Sequence, residues 1–252
     1  MSELTVMKRK RIVFTGGSGR FGQILRKNYN KDKFEVLFPS SKTLNILDVK
    51  TVEKYLKSKK PNYLIHAAGL SRPMNLHDKD ISKSIDINII GTANITKICS
   101  KFKIKLIFIS SSYVYPGEKG NYKENDPIKP INNYGLSKMG GEASVRMYKN
   151  SLIVRASMTE KPFIHKQAFY DFITNFLYHE DFTKLIFKIL DQKGIINVGG
   201  RSQSVYNFAK SKKIKVKRIS ARKVLGKKAK INLGMSIGKI QKIVKKRSND
   251  YW

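Results

Sequence analysis

The sequence predicts an α/β fold built on a doubly wound parallel sheet with helices on both faces. Three observations point there. Short apolar runs alternate with helix-length amphipathic stretches from Arg11 to Arg155, the pattern of successive strand–helix–strand units. A glycine-rich turn, Gly16-Gly17-Ser18-Gly19-Arg20-Phe21-Gly22, joins the first run to the first amphipathic stretch. The residues equipped to bind or react fall just after the apolar runs, where an open parallel sheet opens its ligand crevice.

The elements follow in order. Residues 11–15 read as a buried strand and Gln23 to Tyr29 as a helix. Between them, glycines at 16, 19 and 22 make a tight turn, let a pyrophosphate approach the backbone and let the helix pack on the strand. The helix start then presents free N–H groups to phosphate. Such a loop is weak evidence in isolation, but between a strand and a helix it reads as a dinucleotide site. Gly16, Ser18, Gly19, Arg20, Phe21 and Gly22 are its candidate contacts.

Residues 34–38 form the second strand, followed by Pro39-Ser40-Ser41-Lys42 without a carboxylate to hold a ribose 2′-hydroxyl. Ser40, Lys42 and Arg20 suit a 2′-phosphate instead, which favours NADP(H) over NAD(H). Asn45 and the backbone of Ile46 fall near the adenine, and Asp48 caps a helix running to about Lys59. Residues 63–66 are the third strand. The small residues Ala67, Ala68 and Gly69 after it permit close cofactor approach, and His66 reads as a packed strand-end residue.

A long helix over 80–100 contains Asn88. Leu106 to Ile109 is the fourth strand, breaking into Ser110, Ser111 and Ser112. After a proline-containing loop a helix begins near Asn132, and residues 151–155 are a fifth strand. Residues 165–191 read as helical, with aromatics forming a core stripe. Residues 194–200 read as a strand and turn, 205–210 as a short helix, 214–219 as a strand and 236–247 as a basic helix. Residues 8–160 are thus the dinucleotide-binding domain and 161–252 a smaller portion, with 194–220 returning to the main sheet.

Composition narrows the class. The chain has 252 residues, 40% of them hydrophobic, enough for a substantial core. No apolar run is long enough to span a bilayer, and only Ile12-Val13-Phe14 follows the basic Lys8-Arg9-Lys10-Arg11, too little for a signal peptide. A single cysteine, Cys99, excludes an internal disulfide and suits the cytoplasm. No Cys/His cluster has metal-ligand spacing. The net charge is +33, and residues 192–249 carry eighteen Lys or Arg and no acid. A Lys-, Ile- and Asn-rich composition of the kind AT-rich coding produces ranks first as the cause. An anionic ligand ranks second and a nucleic-acid or acidic-membrane surface third.

The chemistry centres on Tyr134 and Lys138, which share a helix face. A tyrosine titrates near pH 10, and a neighbouring ammonium favours the phenolate, so the pair can exchange a proton with an oxygen becoming an alkoxide. A serine hydroxyl can hold that oxygen. Ser110 and Ser112 face opposite to Ser111 on a strand, so only one parity can serve. In a lysine-rich chain the pair alone is weak; the ordered set gives it weight.

The glycine turn, Ala67-Ala68-Gly69, Asn88, Ser110 to Ser112 and Tyr134-x-x-x-Lys138 together resemble the extended short-chain dehydrogenase/reductase family over about residues 10–200. Within it, Ser110 to Tyr115 with Asn132 to Lys138 is similar to dTDP-4-dehydrorhamnose reductases, and Leu44 to Asp48 is similar to GDP-fucose synthases. The resemblance implies a Rossmann-type sheet with a small C-terminal substrate-binding portion, and NAD(P)H-dependent reduction of a nucleotide-diphosphate sugar at a 4-keto carbon. It also implies roles: Tyr134 as proton donor, Lys138 lowering the tyrosine pKa and binding the nicotinamide ribose, Ser111 polarising the carbonyl, and Ser112 and Tyr113 beside the substrate. Tyr113 stands where the epimerising relatives carry a cysteine, which favours simple reduction. An arginine for the substrate diphosphate is not singled out; Arg155, Arg201, Arg218 and Arg222 are candidates. Homodimers through the helices near 80–100 and 133–149 are a further implication. The alternatives are an NAD-dependent epimerase or dehydratase, and a non-catalytic basic scaffold for nucleic acid.

Overall fold

The computed structural model describes residues 9–244. Strand β1 (Lys10–Thr15) leads into helix α1 (Arg20–Asn28), strand β2 (Phe34–Leu37), helix α2 (Val49–Lys59) and strand β3 (Tyr63–His66). Three joined helical segments follow, α3 (Leu76–Lys79), α4 (Ile81–Ile85) and α5 (Gly91–Lys101), with a π turn over Asp86–Ile90 between the last two. Strand β4 (Lys105–Ser111), helix α6 (Asn133–Arg146) and strand β5 (Ser151–Ala156) complete the alternating part. The capping agrees with the sequence. Asp48 accepts from the Lys50 and Thr51 amides at the start of α2, and Asn132 accepts from Gly135 N at 2.8 Å at the start of α6.

The remainder is shorter-limbed. It comprises β6 (Met158–Thr159), β7 (Gln167–Phe169), β8 (Ile173–Thr174), β9 (Leu177–Tyr178), α7 (His179–Ile186), β10 (Gly194–Val198), β11 (Gln203–Ser204), α8 (Val205–Ser211), β12 (Lys217–Ile219), α9 (Ala221–Leu225) and α10 (Gly238–Val244). The helix expected over 165–191 is therefore confined to α7. Its aromatic spacing belongs instead to two- and three-residue strands that pair with distant segments: β7 with β12, β8 with β11 and β9 with β6. Of 194–220, only β10 rejoins the main sheet, beside β5. The expected basic helix is seen over Gly238–Val244; its last residues, 245–247, and Lys8 at the other end lie outside the described residues.

The main sheet has six strands in the order β10-β5-β4-β3-β1-β2, all parallel. Successive side chains point to opposite faces. Ile12, Phe14, Ile107 and Ile109 pack with Leu25 of α1, Phe182, Leu185 and Ile186 of α7 and Ile240 of α10. Val13, Leu64, Leu106 and Phe108 pack with Val52 and Leu56 of α2, Ile95 and Ile98 of α5 and Val145 of α6. A third cluster gathers Tyr115 and Tyr122 from the loop after β4 with Phe172, Phe208 and Leu233 from the later part of the chain.

A buried polar network links β4, α6, β5 and β10. Arg155 and Glu142 are both fully buried and pair in fork geometry, with Nη2 to Oε2 at 2.9 Å and Nε to Oε1 at 3.1 Å. Ser110 donates to the same carboxylate at 2.6 Å. Arg155 Nη1 donates to the Tyr115 hydroxyl at 2.9 Å, which in turn donates to Asn197 Oδ1 at 2.8 Å. Arg155→Met strands the Glu142 carboxylate in the core and is expected to cost about 3–5 kcal/mol, read as a lowered urea midpoint. The Arg155→Met/Glu142→Leu double variant should recover much of that loss.

Candidate functional site

The chain passes from β1 out to β2 and back across to β3, so the sheet's switch point lies between the C-terminal ends of β1 and β3. The glycine turn sits there. Gly16 has φ +84°, and a Cβ on it would lie 2.7 Å from Ala68 N and 2.8 Å from the Ala67 carbonyl oxygen. A Cβ on Gly22 would overlap the Gly16 carbonyl, so α1 approaches the turn closely only because that residue is glycine. Helix α1 starts at Gly19 with no side-chain cap, leaving its first amides for an anion. These features fit a dinucleotide pyrophosphate.

A cleft of about 400 Å³ opens from this turn across the ends of β3, β4 and β5. Gly16, Gly19, Arg20, Phe21, Gly22, Ala67, Gly69, Ser111, Ser112, Tyr113, Tyr134 and Lys138 all line it. Ser18, Ser40, Lys42, Asn45, Ile46 and Ala68 do not. Ser40 shares a hydrogen bond with the Thr43 hydroxyl, the Asn45 side chain accepts from Leu47 N, Asn94 donates to the Ile46 carbonyl, and Ala68 N donates to Thr15 Oγ1. Ser18 and Lys42 are exposed. At the end of β2 the Arg26 guanidinium lies 4.2 Å over the Phe38 ring.

The three expected reacting groups converge. Ser110, Ser111 and Ser112 all line the cleft; Ser110 donates to Glu142, and Ser111 Oγ accepts from Tyr113 N at 3.3 Å. Lys138 follows one turn along α6, its ammonium 4.2 Å over the Phe108 ring. Asn88, in the π turn, brackets the loop after β3: Nδ2 donates to the Leu70 carbonyl and to Ser137 Oγ, and Oδ1 accepts from Leu70 N. A π turn at such a junction re-aims one side chain without ending the helix.

Burial raises the Tyr134 pKa above its ordinary value; the Ser111 hydrogen bond and then the Arg72 guanidinium oppose that rise. Arg72 and Lys138 both line the cleft with this phenol. Lys138 is itself pulled down to about 8 by burial, against a raising influence from Glu142, so it is a weaker source of charge than an exposed lysine. Arg72 comes from the loop after β3 and donates to both Glu160 oxygens, at 3.0 and 3.2 Å. Arg20, at the start of α1, reaches the same carboxylate at 3.1 Å. Burial pushes Glu160 up, but a backbone hydrogen bond and the two arginines outweigh it and hold the carboxyl below its ordinary range. Arg72 and Glu160 lie 88 residues apart and escaped the sequence reading. The signals available were an arginine just after Ala-Ala-Gly and a carboxylate just after the fifth strand.

The remaining candidates resolve by position. His66 is fully buried, shares hydrogen bonds with Thr15 and Thr92, and is pushed down to about 3, chiefly by burial. Arg155 is structural, committed to Glu142 inside the core. Arg218 stacks on Tyr170 and Arg222 donates to the Lys227 carbonyl; neither these two nor Arg201 lines the cleft. Among the described residues no His, Cys, Asp and Glu cluster could hold a metal, and no helix is long and apolar enough to cross a membrane.

Fold and cleft together define an extended short-chain dehydrogenase/reductase-type Rossmann protein. The model of the RmlD substrate binding domain family matches residues 10–194, and the chain belongs to that family. Among curated proteins it is 29% identical over 150 residues to methionine adenosyltransferase 2 subunit beta of Xenopus laevis, covering 57% of this chain and 44% of that one. It is 30% identical over 152 residues to a dTDP-4-dehydrorhamnose reductase of Aggregatibacter actinomycetemcomitans, covering 59% and 51%. The matches thus span about half the length of these relatives. Among solved structures, dTDP-4-dehydrorhamnose reductase from Bacillus anthracis in complex with NADP superposes with a TM-score of 0.83 at 23% identity, covering 93% of this chain and 92% of that one. Bordetella bronchiseptica WbmG in complex with NAD gives 0.73 at 19%, covering 95% and 89%.

The lowered lysine sets a pH dependence. Between about pH 8 and its ordinary value near 10.5, Lys138 binds fewer protons folded than unfolded, so its contribution to stability rises with pH across that window. Tyr134, raised on folding, acts oppositely above about pH 10. Chemical denaturation of wild type and Lys138→Met at pH 8 and pH 9.5 should show a smaller gain with pH in the variant.

Proposed function

We propose that the chain is an NADPH-dependent reductase of a nucleotide-activated 4-keto-6-deoxy sugar. The observation that carries this reading is the meeting of Ser111, Tyr134 and Lys138 in one cleft that opens from the glycine turn. When bound, the cofactor would supply the hydride. The protein's residues do the rest. The glycine turn and the uncapped start of α1 receive the pyrophosphate. Ser111 holds the substrate carbonyl oxygen and Tyr134 gives it a proton as charge develops. Arg72 biases the phenol toward proton release, and Lys138 is placed for the nicotinamide ribose. Arg20 and Arg72 are held by Glu160, so an arriving phosphate competes with a carboxylate for guanidinium groups already gathered at the cleft.

NADPH is favoured over NADH because no carboxylate follows β2 and Arg26 is stacked beside that strand's end on Phe38. Simple reduction is favoured over epimerisation because Tyr113 stands where a second acid–base residue would be needed, and burial pushes its phenol up to about 12. A homodimer is supported by Ile81, Ile85 and Leu136, exposed on α4 and α6.

A second reading rests on the likeness to methionine adenosyltransferase 2 subunit beta: a cofactor-binding subunit of a larger assembly. A panel of keto-sugar nucleotides with NADPH or NADH separates the two. The reductase reading expects oxidation of the reduced cofactor by at least one dTDP- or GDP-linked 4-keto sugar, and a Tyr134→Phe loss of about 10²–10⁴-fold in turnover with NADPH affinity nearly unchanged. No turnover across the panel, with cofactor binding intact, favours the subunit. Fluorescence titration should also give tighter binding of NADPH than NADH, with Arg26→Met narrowing the gap.

A further inference from the structure

We propose that a hollow at the N-terminal edge of the sheet, at the opposite end of the strands from the cleft, is a binding site for a small phosphate-bearing anion. The hollow measures about 450 Å³, within the range of small-molecule sites. Lys10 at the start of β1, Asn62 and Tyr63 at the start of β3, Lys103 and Lys105 at the start of β4, and Asp191 before β10 form its wall.

Lys105 is the unusual member. It is only 7% exposed, and its ammonium nitrogen is fully covered with no hydrogen-bond partner among the described residues. Buried ammonium groups without a partner are costly, and native proteins seldom keep one without a role or an unseen counter-ion. The nearby Asp191 carboxylate opposes the downward shift of Lys105 but makes no hydrogen bond with it. Asp191 accepts from the Tyr63 hydroxyl at 2.6 Å and faces Lys10 at 3.8 Å. Lys193 adds further positive potential at Lys105. The hollow therefore holds more ammonium groups than its one committed carboxylate can balance.

A phosphate monoester carries close to two charges and three acceptor oxygens, which suits several point-charge donors set around a recess. The recess leaves room for the rest of a molecule of mononucleotide size, and the Phe102 ring lines its side. An anion here would also raise the pKa of Lys105, which burial draws down to about 8, so binding near pH 8 should take up a proton.

The test is calorimetric titration of NADPH-saturated protein with AMP and with inorganic pyrophosphate at pH 8, in buffers of different ionisation enthalpy. The wild type is expected to bind AMP with net proton uptake. Lys105→Met should weaken binding at least tenfold and abolish the uptake, without changing NADPH affinity. It should also raise the thermal midpoint by about 2–4 °C, because a buried unpaired cation is removed. Lys57→Met, at an exposed lysine of α2, should alter none of these. Equal AMP binding by wild type and Lys105→Met overturns the proposal. So does wild-type binding without proton uptake, or no binding of either probe at millimolar concentration.

Discussion

The structure turns on one constraint: a carboxylate and a guanidinium taken fully out of water behind the serine run. Glu142 and Arg155 are tolerable there only because nearly every donor and acceptor is answered, by one another, by Ser110 and by Tyr115. That requirement fixes α6 against β4 and β5. It holds the Ser110 hydroxyl on Glu142 at the edge of the cleft, next to Ser111. Through Tyr115 and Asn197 it also ties the loop after β4 to β10, the edge strand of the main sheet. The position of Tyr134 is thus set from below, because Glu142 anchors the same helix that carries Tyr134 and Lys138.

What could be read from the sequence was local. The glycine turn, the Asp48 and Asn132 caps, the strand edges and the Tyr134–Lys138 spacing each depend on a few adjacent residues. What could not be read was non-local. Phe169, Phe172 and Phe176 repeat at three- and four-residue intervals, as a helix would require. Their backbone instead pairs with segments near residues 203 and 217, and no local pattern announces such partners. The Arg20–Glu160–Arg72 cluster is the same case at the site, since three loops far apart in the chain meet at one carboxylate. Beside the lysine that the sequence places one turn from the tyrosine, the fold brings in a second cation, Arg72.

The positive charge also reads differently on the structure. Several of the chain's cations are held individually: Arg155 in the core, Arg218 on Tyr170, Lys101 on Glu53, Lys230 on Glu118. Each of these four is held by its own neighbour, apart from the others.

The strand order carries a last consequence. Only β2, four residues long, lies outside β1, whereas β3, β4 and β5 stand between β1 and the opposite edge. The two halves of the crevice therefore rest on ground of unequal firmness. The half beside β2 sits on a short border strand that can fray on its own, while the half holding Ser111 and Tyr134 sits over the most deeply paired strands. Loosening at the border would change how tightly a ligand's far end is gripped and leave the reacting geometry intact. Affinity and chemistry could then drift independently as sequences diverge.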